Sequence, residues 1–122
     1  MSKIVLDKEK LRSELGIVVF DRLSLNHTSS SFTLPAGGEA VIDSITGKVG
    51  FCTIMFDGNG DGVFRMRVYV DGVLDDEFAT NETRIGHYSF ASSLEVRIHN
   101  PTTGSATQTS SGYTLRGLAR PA

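Results

Sequence analysis

The chain has 122 residues, 39% of them apolar, and its 12 basic and 14 acidic residues leave a formal charge of −2. A chain of this length can bury roughly two-thirds of the surface that it exposes when unfolded, so one domain with a hydrophobic core is expected. The balanced charge creates no field that would attract nucleic acid, and no segment approaches the ~20 apolar residues of a membrane span. Without a signal-peptide pattern, we expect the protein to be made in a cytoplasm and to stay soluble.

One short helix is predicted close to the first residue. Asp7 can cap its free amides, Leu11 and Leu15 lie four positions apart on one face, and Gly16 is the residue type that ends helices. The pattern predicts a helix of about two turns over residues 8–15.

Residues 1–16 are predicted to form an N-terminal arm, and residues 17–122 a β-sandwich domain. The arm begins with a short β-prone apolar run that the sandwich does not need in order to close. We therefore expect the arm to add a strand to a neighbouring subunit. Its proposed contact residues are Ile4, Val5, Leu6 and Leu11. The alternative is that the run pairs within its own sheet and the leucines close the end of the core.

After the helix, apolar residues recur at every second position. In the segment VFRMRVYV (63–70), four apolar residues face one way while Arg65, Arg67 and Tyr69 face the other. Asp71-Gly72 then predicts a type I′ hairpin. The segment GFCTIMF (50–56) is apolar on both faces, which predicts a central strand covered on both sides. About eight such strands predict an all-β fold, an antiparallel two-sheet sandwich or jelly roll with one short N-terminal helix.

One segment and one residue differ from the pattern of alternating apolar residues. Residues 100–111 contain only small and polar residue types, so we expect a mobile surface loop or a loop that a partner orders. Cys52 lies within an apolar run without a cationic neighbour, which predicts a small core residue and not a thiolate.

The sharpest local motif is Asp57-Gly58-Asn59-Gly60-Asp61-Gly62. Asp57, Asn59 and Asp61 match the first half of a calcium loop, but Val68 occupies the position where a bidentate Glu belongs. We therefore favour a glycine-rich hairpin and expect no metal, with these three residues as weak candidate ligands.

No catalytic constellation is evident in the sequence. His27, His87 and His99 have no spacing typical of a metal site, and no nucleophile elbow or phosphate-binding glycine loop is present. A Ser-His-Asp site is recognised only in space, so the sequence leaves that alternative open. We expect a protein that is not an enzyme and has no cofactor.

A group of basic and aromatic residues is predicted on the outer faces of strands. Such a face could bind a surface glycan or another protein, because Arg offers a planar set of donors and Tyr a flat stacking surface. The candidate residues are Arg65, Arg67, Tyr69, Arg97, His99 and Arg116. The alternative, which we favour, is charge pairing across strands with Glu95, Asp75 and Asp76.

Three segments, SFTLPAGGEAVIDSI, VYVDGVLDDEF and SGYTLRGLA, together resemble the small β-sandwich structural proteins of tailed bacteriophages. The resemblance implies a non-enzymatic virion protein present in many copies, either a capsid decoration or cement protein or a tail or fibre component. It also implies synthesis in the host cytoplasm, homo-oligomers, and the major capsid protein or tail proteins as partners. Pro-Ala-Gly turns also occur in trimeric knobs and carbohydrate-binding sandwiches. A carbohydrate-binding or receptor-binding module of a tail, fibre or baseplate is therefore the alternative.

Overall fold

The structure, a computed structural model, describes residues 7–14 and 18–122. The predicted arm residues Ile4, Val5 and Leu6 lie outside these ranges, as do Leu15 and Gly16, so the arm and the end of the helix stay predictions. Within the described residues, no helix is long and apolar enough to cross a membrane.

One helix and ten strands make up the described part of the chain. Helix α1 spans Lys8–Glu14. The strands are β1 Asp21–His27, β2 Ser31–Leu34, β3 Glu39–Thr46, β4 Lys48–Phe56, β5 Arg65–Val70, β6 Val73–Ala79, β7 Arg84–Phe90, β8 Ser93–His99, β9 Ala106–Thr109 and β10 Tyr113–Pro121.

The strands pair in a nested order. The first strand pairs with the last, the second with the second-last, and so on inward to the central hairpin. Strand β1 pairs with β10, β2 with β9, β3 with β8, β4 with β7, and β5 with β6, all antiparallel. Two four-stranded sheets result, in the orders β1-β10-β4-β7 and β3-β8-β5-β6, with β2-β9 as a separate pair. A long hairpin folded over on itself in this way is a jelly roll. The prediction of an antiparallel two-sheet sandwich or jelly roll is confirmed.

The core lies between the two sheets and is built from the inward positions of each strand. Met66 and Val68 of β5 are fully buried, as are Val96 and Ile98 of β8. Burying such side chains stabilises the fold by about 1.5–3 kcal/mol each. Cys52 also lies in this core, where burial raises the pKa of its thiol to about 11, so the prediction of an unreactive core residue is confirmed.

The predicted hairpin at Asp71-Gly72 is confirmed. Both residues have positive φ, 51° and 81°, as a type I′ turn requires. The Asp71 carboxylate also accepts hydrogen bonds from the backbone amides of Ala91, Ser92 and Ser93. These bonds lower the pKa of Asp71 to about 2 and connect the β5–β6 turn to the β7–β8 turn.

Helix α1 begins at Lys8 as predicted, and the first strand begins at Asp21. The Lys10 amide donates to Asp7 Oδ1 at 3.0 Å, which is the expected cap. Lys8 Nζ lies 2.8 Å from Asp21 Oδ1 and connects the helix to the start of β1. Residues 18–20 are not in a strand.

The prediction that residues 50–56 are covered on both faces is wrong for this chain. Strand β4 does lie centrally, between β10 and β7. Its inward residues, including Ile54 and Phe56, are buried, whereas Phe51 and Met55 on the outer face are each 52% exposed. An apolar strand in an antiparallel sheet therefore leaves one apolar face uncovered here.

The predicted glycine-rich hairpin at residues 57–62 is also wrong. Strands β4 and β5 belong to different sheets, so the segment crosses from one sheet to the other. The connection is irregular, with positive φ at Gly58 and Gly62, and the pattern of Gly, Asn and Asp could not indicate which strands it joins.

Residues 100–111 are neither a loose loop nor a segment without anchors. Asn100, Ser110 and Ser111 are fully buried, and strand β9 within the segment pairs with β2. The side chain of Asn100 donates to the carbonyls of Leu34 and Gly104 at 3.1 and 2.9 Å. Polar residues are buried here because their hydrogen bonds are satisfied inside the fold.

Candidate interaction surface

The predicted arginine face divides between the two sheets. Arg65, Arg67 and Tyr69 of β5 lie beside Arg97 and His99 of β8, because Arg65 is directly opposite His99 and Arg67 opposite Arg97. Arg116 lies on β10 of the other sheet, so the structure separates it from these five residues.

Glu39, at the start of β3, holds the arginine face together. Its carboxylate accepts hydrogen bonds from Arg67, from Tyr69 Oη at 2.8 Å, and from Arg97 Nη1 at 3.0 Å. Burial raises the pKa of Glu39, but these bonds outweigh burial and lower the pKa below its usual value. Sequence reasoning missed Glu39, because only the pairing of β3 with β8 brings it to these arginines.

The remaining groups of this face also bind one another. Arg67 Nε lies 2.8 Å from Glu77, and Arg97 lies 3.1 Å from Glu95. The guanidinium of Arg97 stacks 4.1 Å from the ring centroid of Tyr69. One stacking surface of the tyrosine is therefore already occupied by a cation from the same molecule.

Charge pairing at this face follows the predicted alternative only in part. Glu95 pairs with Arg97, but along strand β8 and not across strands, whereas Asp76 pairs with Arg84 at 2.7 Å. Asp75 has no hydrogen-bond or ion-pair partner among the described residues. His99 Nδ1 is buried 3.9 Å from Glu39 Oε1 and, within the described residues, has no hydrogen bond.

A second surface, the outer face of the sheet β1-β10-β4-β7, carries exposed apolar residues in cross-strand pairs. Phe51 lies opposite Leu118, and Met55 lies opposite Ile85. All four side chains are exposed. We name this surface the β4 face; its outward positions are Arg22, Ser24, Asn26, Val49, Phe51, Thr53, Met55, Ile85, His87, Ser89, Thr114, Arg116, Leu118 and Arg120.

A polar row separates the two apolar pairs of the β4 face. Thr53 Oγ1 lies 2.9 Å from His87 Nδ1, and Arg116 stands opposite Thr53 on the neighbouring strand. The guanidinium of Arg116 donates to the neutral oxygens of Leu25 and Asn26, both at 3.2 Å. The face thus combines apolar pairs with a central row of hydrogen-bonding groups.

The β4 face is cationic. Its outward positions include three arginines, Arg22, Arg116 and Arg120, and no aspartate or glutamate. Among the described residues, none of these arginines has a carboxylate partner. Because the whole chain has a charge of −2, the rest of the molecule is correspondingly acidic.

Two of the three weak candidate ligands in the loop 57–62, Asn59 and Asp61, accept hydrogen bonds within the fold. Asn59 Oδ1 accepts from the Gly112 amide, and Asp61 Oδ2 from the Thr109 amide, both at 2.8 Å. The loop thereby fastens the sheet crossover to the connection between β9 and β10. In residues 7–14 and 18–122, no three His, Cys, Asp or Glu residues are placed to hold a metal ion.

One partly buried pair, His27 and Ser110, has the composition of a catalytic dyad. His27 Nε2 lies 2.9 Å from Ser110 Oγ, and Asp43 acts electrostatically on the histidine while accepting a hydrogen bond from the Tyr113 hydroxyl. Burial lowers the pKa of His27 more than Asp43 raises it.

This pair is not placed for catalysis. Ser110 is fully buried, and its Oγ also accepts the Ser30 amide at 3.2 Å, so no substrate can reach it in this conformation. The pair connects β1 to the segment before β10. No sequence signal indicated this contact, because the two residues lie 83 positions apart.

No protein-family model matches the sequence, and no curated protein matches it. Among solved structures, the VP2 subviral particle of infectious bursal disease virus is similar over 96% of this chain and 37% of that chain, with 9% identity and a TM-score of 0.43. T=1 particles derived from the same virus give 11% identity, 96% and 36% coverage, and a TM-score of 0.42. Dimeric latent PorU from Porphyromonas gingivalis is similar over 86% of this chain and 13% of that chain, with 10% identity and a TM-score of 0.33. The chain thus spans about a third of the viral chains.

Proposed function

We propose that the chain is a non-enzymatic structural protein of a virus particle, and specifically a decoration or cement protein that binds in many copies to the capsid of a tailed bacteriophage. The observation that carries this proposal is the β4 face. Exposed apolar side chains grouped on one face of a folded domain mark a surface that another macromolecule covers.

The character of the β4 face supports binding to a protein surface. It is a sheet face built on paired strands, so its side chains are held in register before a partner arrives. Flat apolar pairs with interspersed hydrogen-bonding groups are typical of protein interfaces, whereas small-molecule sites are concave. The resemblance of the three sequence segments to phage structural proteins directs the proposal toward a virion.

The alternative is a carbohydrate-binding or receptor-binding module of a tail, fibre or baseplate, with the arginine face as its site. The mutual pairing of Glu39, Arg67 and Arg97 weighs against it, since a glycan would have to compete with those bonds. It remains a prediction that binding experiments can test directly.

The proposed function can be tested by quantifying the protein in purified particles of the virus that encodes it. Wild-type chain should be present in many copies, and Phe51→Asp with Ile85→Asp should be lost from the particles. Both substitutions lie at exposed positions, so the thermal melting of the isolated chain should change little. Val63→Asp is the matched control, because Val63 is exposed to a similar degree but lies outside the β4 face.

Absence of the wild-type chain from purified particles would refute the virion proposal. Normal incorporation of the Phe51→Asp, Ile85→Asp variant would refute the assignment of the β4 face as an assembly surface.

A further inference from the structure

We infer that the β4 face binds the β5–β6 hairpin of a second copy of this chain, so that copies associate head to tail. This inference rests on the proposed function, in which the β4 face is an assembly surface, and adds the identity of the partner.

The charge of the β4 face disfavours a symmetric contact between two such faces. A face-to-face pair would bring Arg22, Arg116 and Arg120 of both copies into one interface without any carboxylate among its residues. Like charges across an interface cost several kcal/mol. The partner surface must therefore be acidic as well as apolar.

The β5–β6 hairpin is such a surface on the same chain. Val73 is 68% exposed and Leu74 is 42% exposed at the start of β6. Asp75 follows them, is exposed, and lies at the irregularity in the pairing of β6 with β5. A bulged residue in an edge strand is directed away from regular pairing and is available to a partner.

The two surfaces lie on opposite sheets of the sandwich, so one copy can use both at once. The β4 face is on the sheet β1-β10-β4-β7, and the hairpin is at the edge of β3-β8-β5-β6. A contact between two different surfaces is heterologous, and repeated copies of it form a ring or an extended array.

The size of the β4 face indicates a weak single contact. Four strands and three rows of outward residues cover about 400 Å², so a contact on this face buries at most about 800 Å² on both partners together. Stable isolated complexes bury about 1,200–2,000 Å². Association should therefore depend on concentration in solution and become strong where many copies are held on one surface.

The test is sedimentation velocity of the full chain over a range of concentrations. Wild-type chain should self-associate, and Arg116→Glu or Asp75→Arg alone should weaken association at least tenfold. An equimolar mixture of the two variants should associate again, because the glutamate introduced on the β4 face of one variant meets the arginine introduced on the hairpin of the other. Glu82→Arg, which changes the charge as Asp75→Arg does but lies in the β6–β7 turn, should associate like wild type.

Several results would overturn the inference. A wild-type chain that stays monomeric at millimolar concentration would overturn it. An equimolar mixture of the two variants that associates no more strongly than either variant alone would also overturn it. If Arg116→Glu loses association while Asp75→Arg associates like wild type, a surface other than the hairpin binds the β4 face. If the wild-type chain is monomeric yet is incorporated into particles through the β4 face, this inference fails while the proposed function stands.

Discussion

Replacing Asn100 with alanine should destabilise the fold strongly, although the residue lies in a segment without apolar anchors. Its amide nitrogen is within 3.1 Å of Leu34 O and 2.9 Å of Gly104 O, and its Oδ1 accepts from the Thr102 amide at 2.9 Å. Asn100 is fully buried, so truncation removes all of these bonds and leaves the Thr102 amide without its acceptor, whereas Leu34 O and Gly104 O keep Ser105 Oγ and Thr102 Oγ1 as donors. A lost hydrogen bond costs about 1 kcal/mol and a buried group left unsatisfied about 1–3 kcal/mol, so we expect a total of about 3 kcal/mol.

For a domain of this size, that loss corresponds to a decrease in melting temperature of about 10 °C. Circular dichroism during thermal and urea unfolding measures both quantities. Thr107→Ala is the matched control within the same segment, because it removes only an exposed hydrogen bond to Thr33 Oγ1. An Asn100→Ala variant as stable as Thr107→Ala would refute the conclusion that residues 100–111 are anchored by this side chain.

Other parts of the chain give four further predictions. Because burial lowers the pKa of His27 below its usual 6.5, the unfolded state takes up the proton first, so stability should fall as pH decreases below about 6.5. The unfolding free energy of His27→Gln should vary less with pH between about pH 7.5 and 5 than that of wild type. The same pH dependence in both proteins would contradict this. If the arginine face binds glycans, Arg67→Ala and Tyr69→Ala should abolish signals on a glycan array; undiminished binding would remove that site. Millimolar calcium should not raise the melting temperature relative to chelator, because the oxygens of Asn59 and Asp61 are already engaged, and a shift of several degrees would contradict this. Deleting residues 1–6 should abolish assembly with nearly unchanged melting if they form an arm, whereas a loss of several kcal/mol would indicate pairing within the chain.

The period-two pattern of the sequence predicts the longer strands and their inward residues, but it does not predict β9, which lies in the segment expected to be a loop. Met66 and Val68 are buried and Arg67 faces outward because alternation along a strand is a local property of the backbone. The Asp71-Gly72 turn was equally local, since it depends on the φ preferences of two adjacent residues.

The errors concern properties that depend on which strands become neighbours. Phe51 and Met55 lie on an apolar strand face, and such a face predicts burial. The sequence is the same whether the face is covered by its own chain or by a partner, so it could not show that the chain leaves these two residues exposed. The role of Glu39 depends on the pairing of β3 with β8, and that of Asn100 on a carbonyl 66 residues away. The candidate site therefore consists largely of features for which a single sequence carries no signal.

Cryo-electron microscopy of the particle that carries this chain would test the central proposal most directly. The account predicts the jelly roll at many symmetry-equivalent positions on the capsid, with Phe51, Met55, Ile85 and Leu118 covered by protein. Density confined to the tail would contradict the decoration role. A β4 face exposed to solvent in every copy would contradict the assignment of that face as the assembly surface.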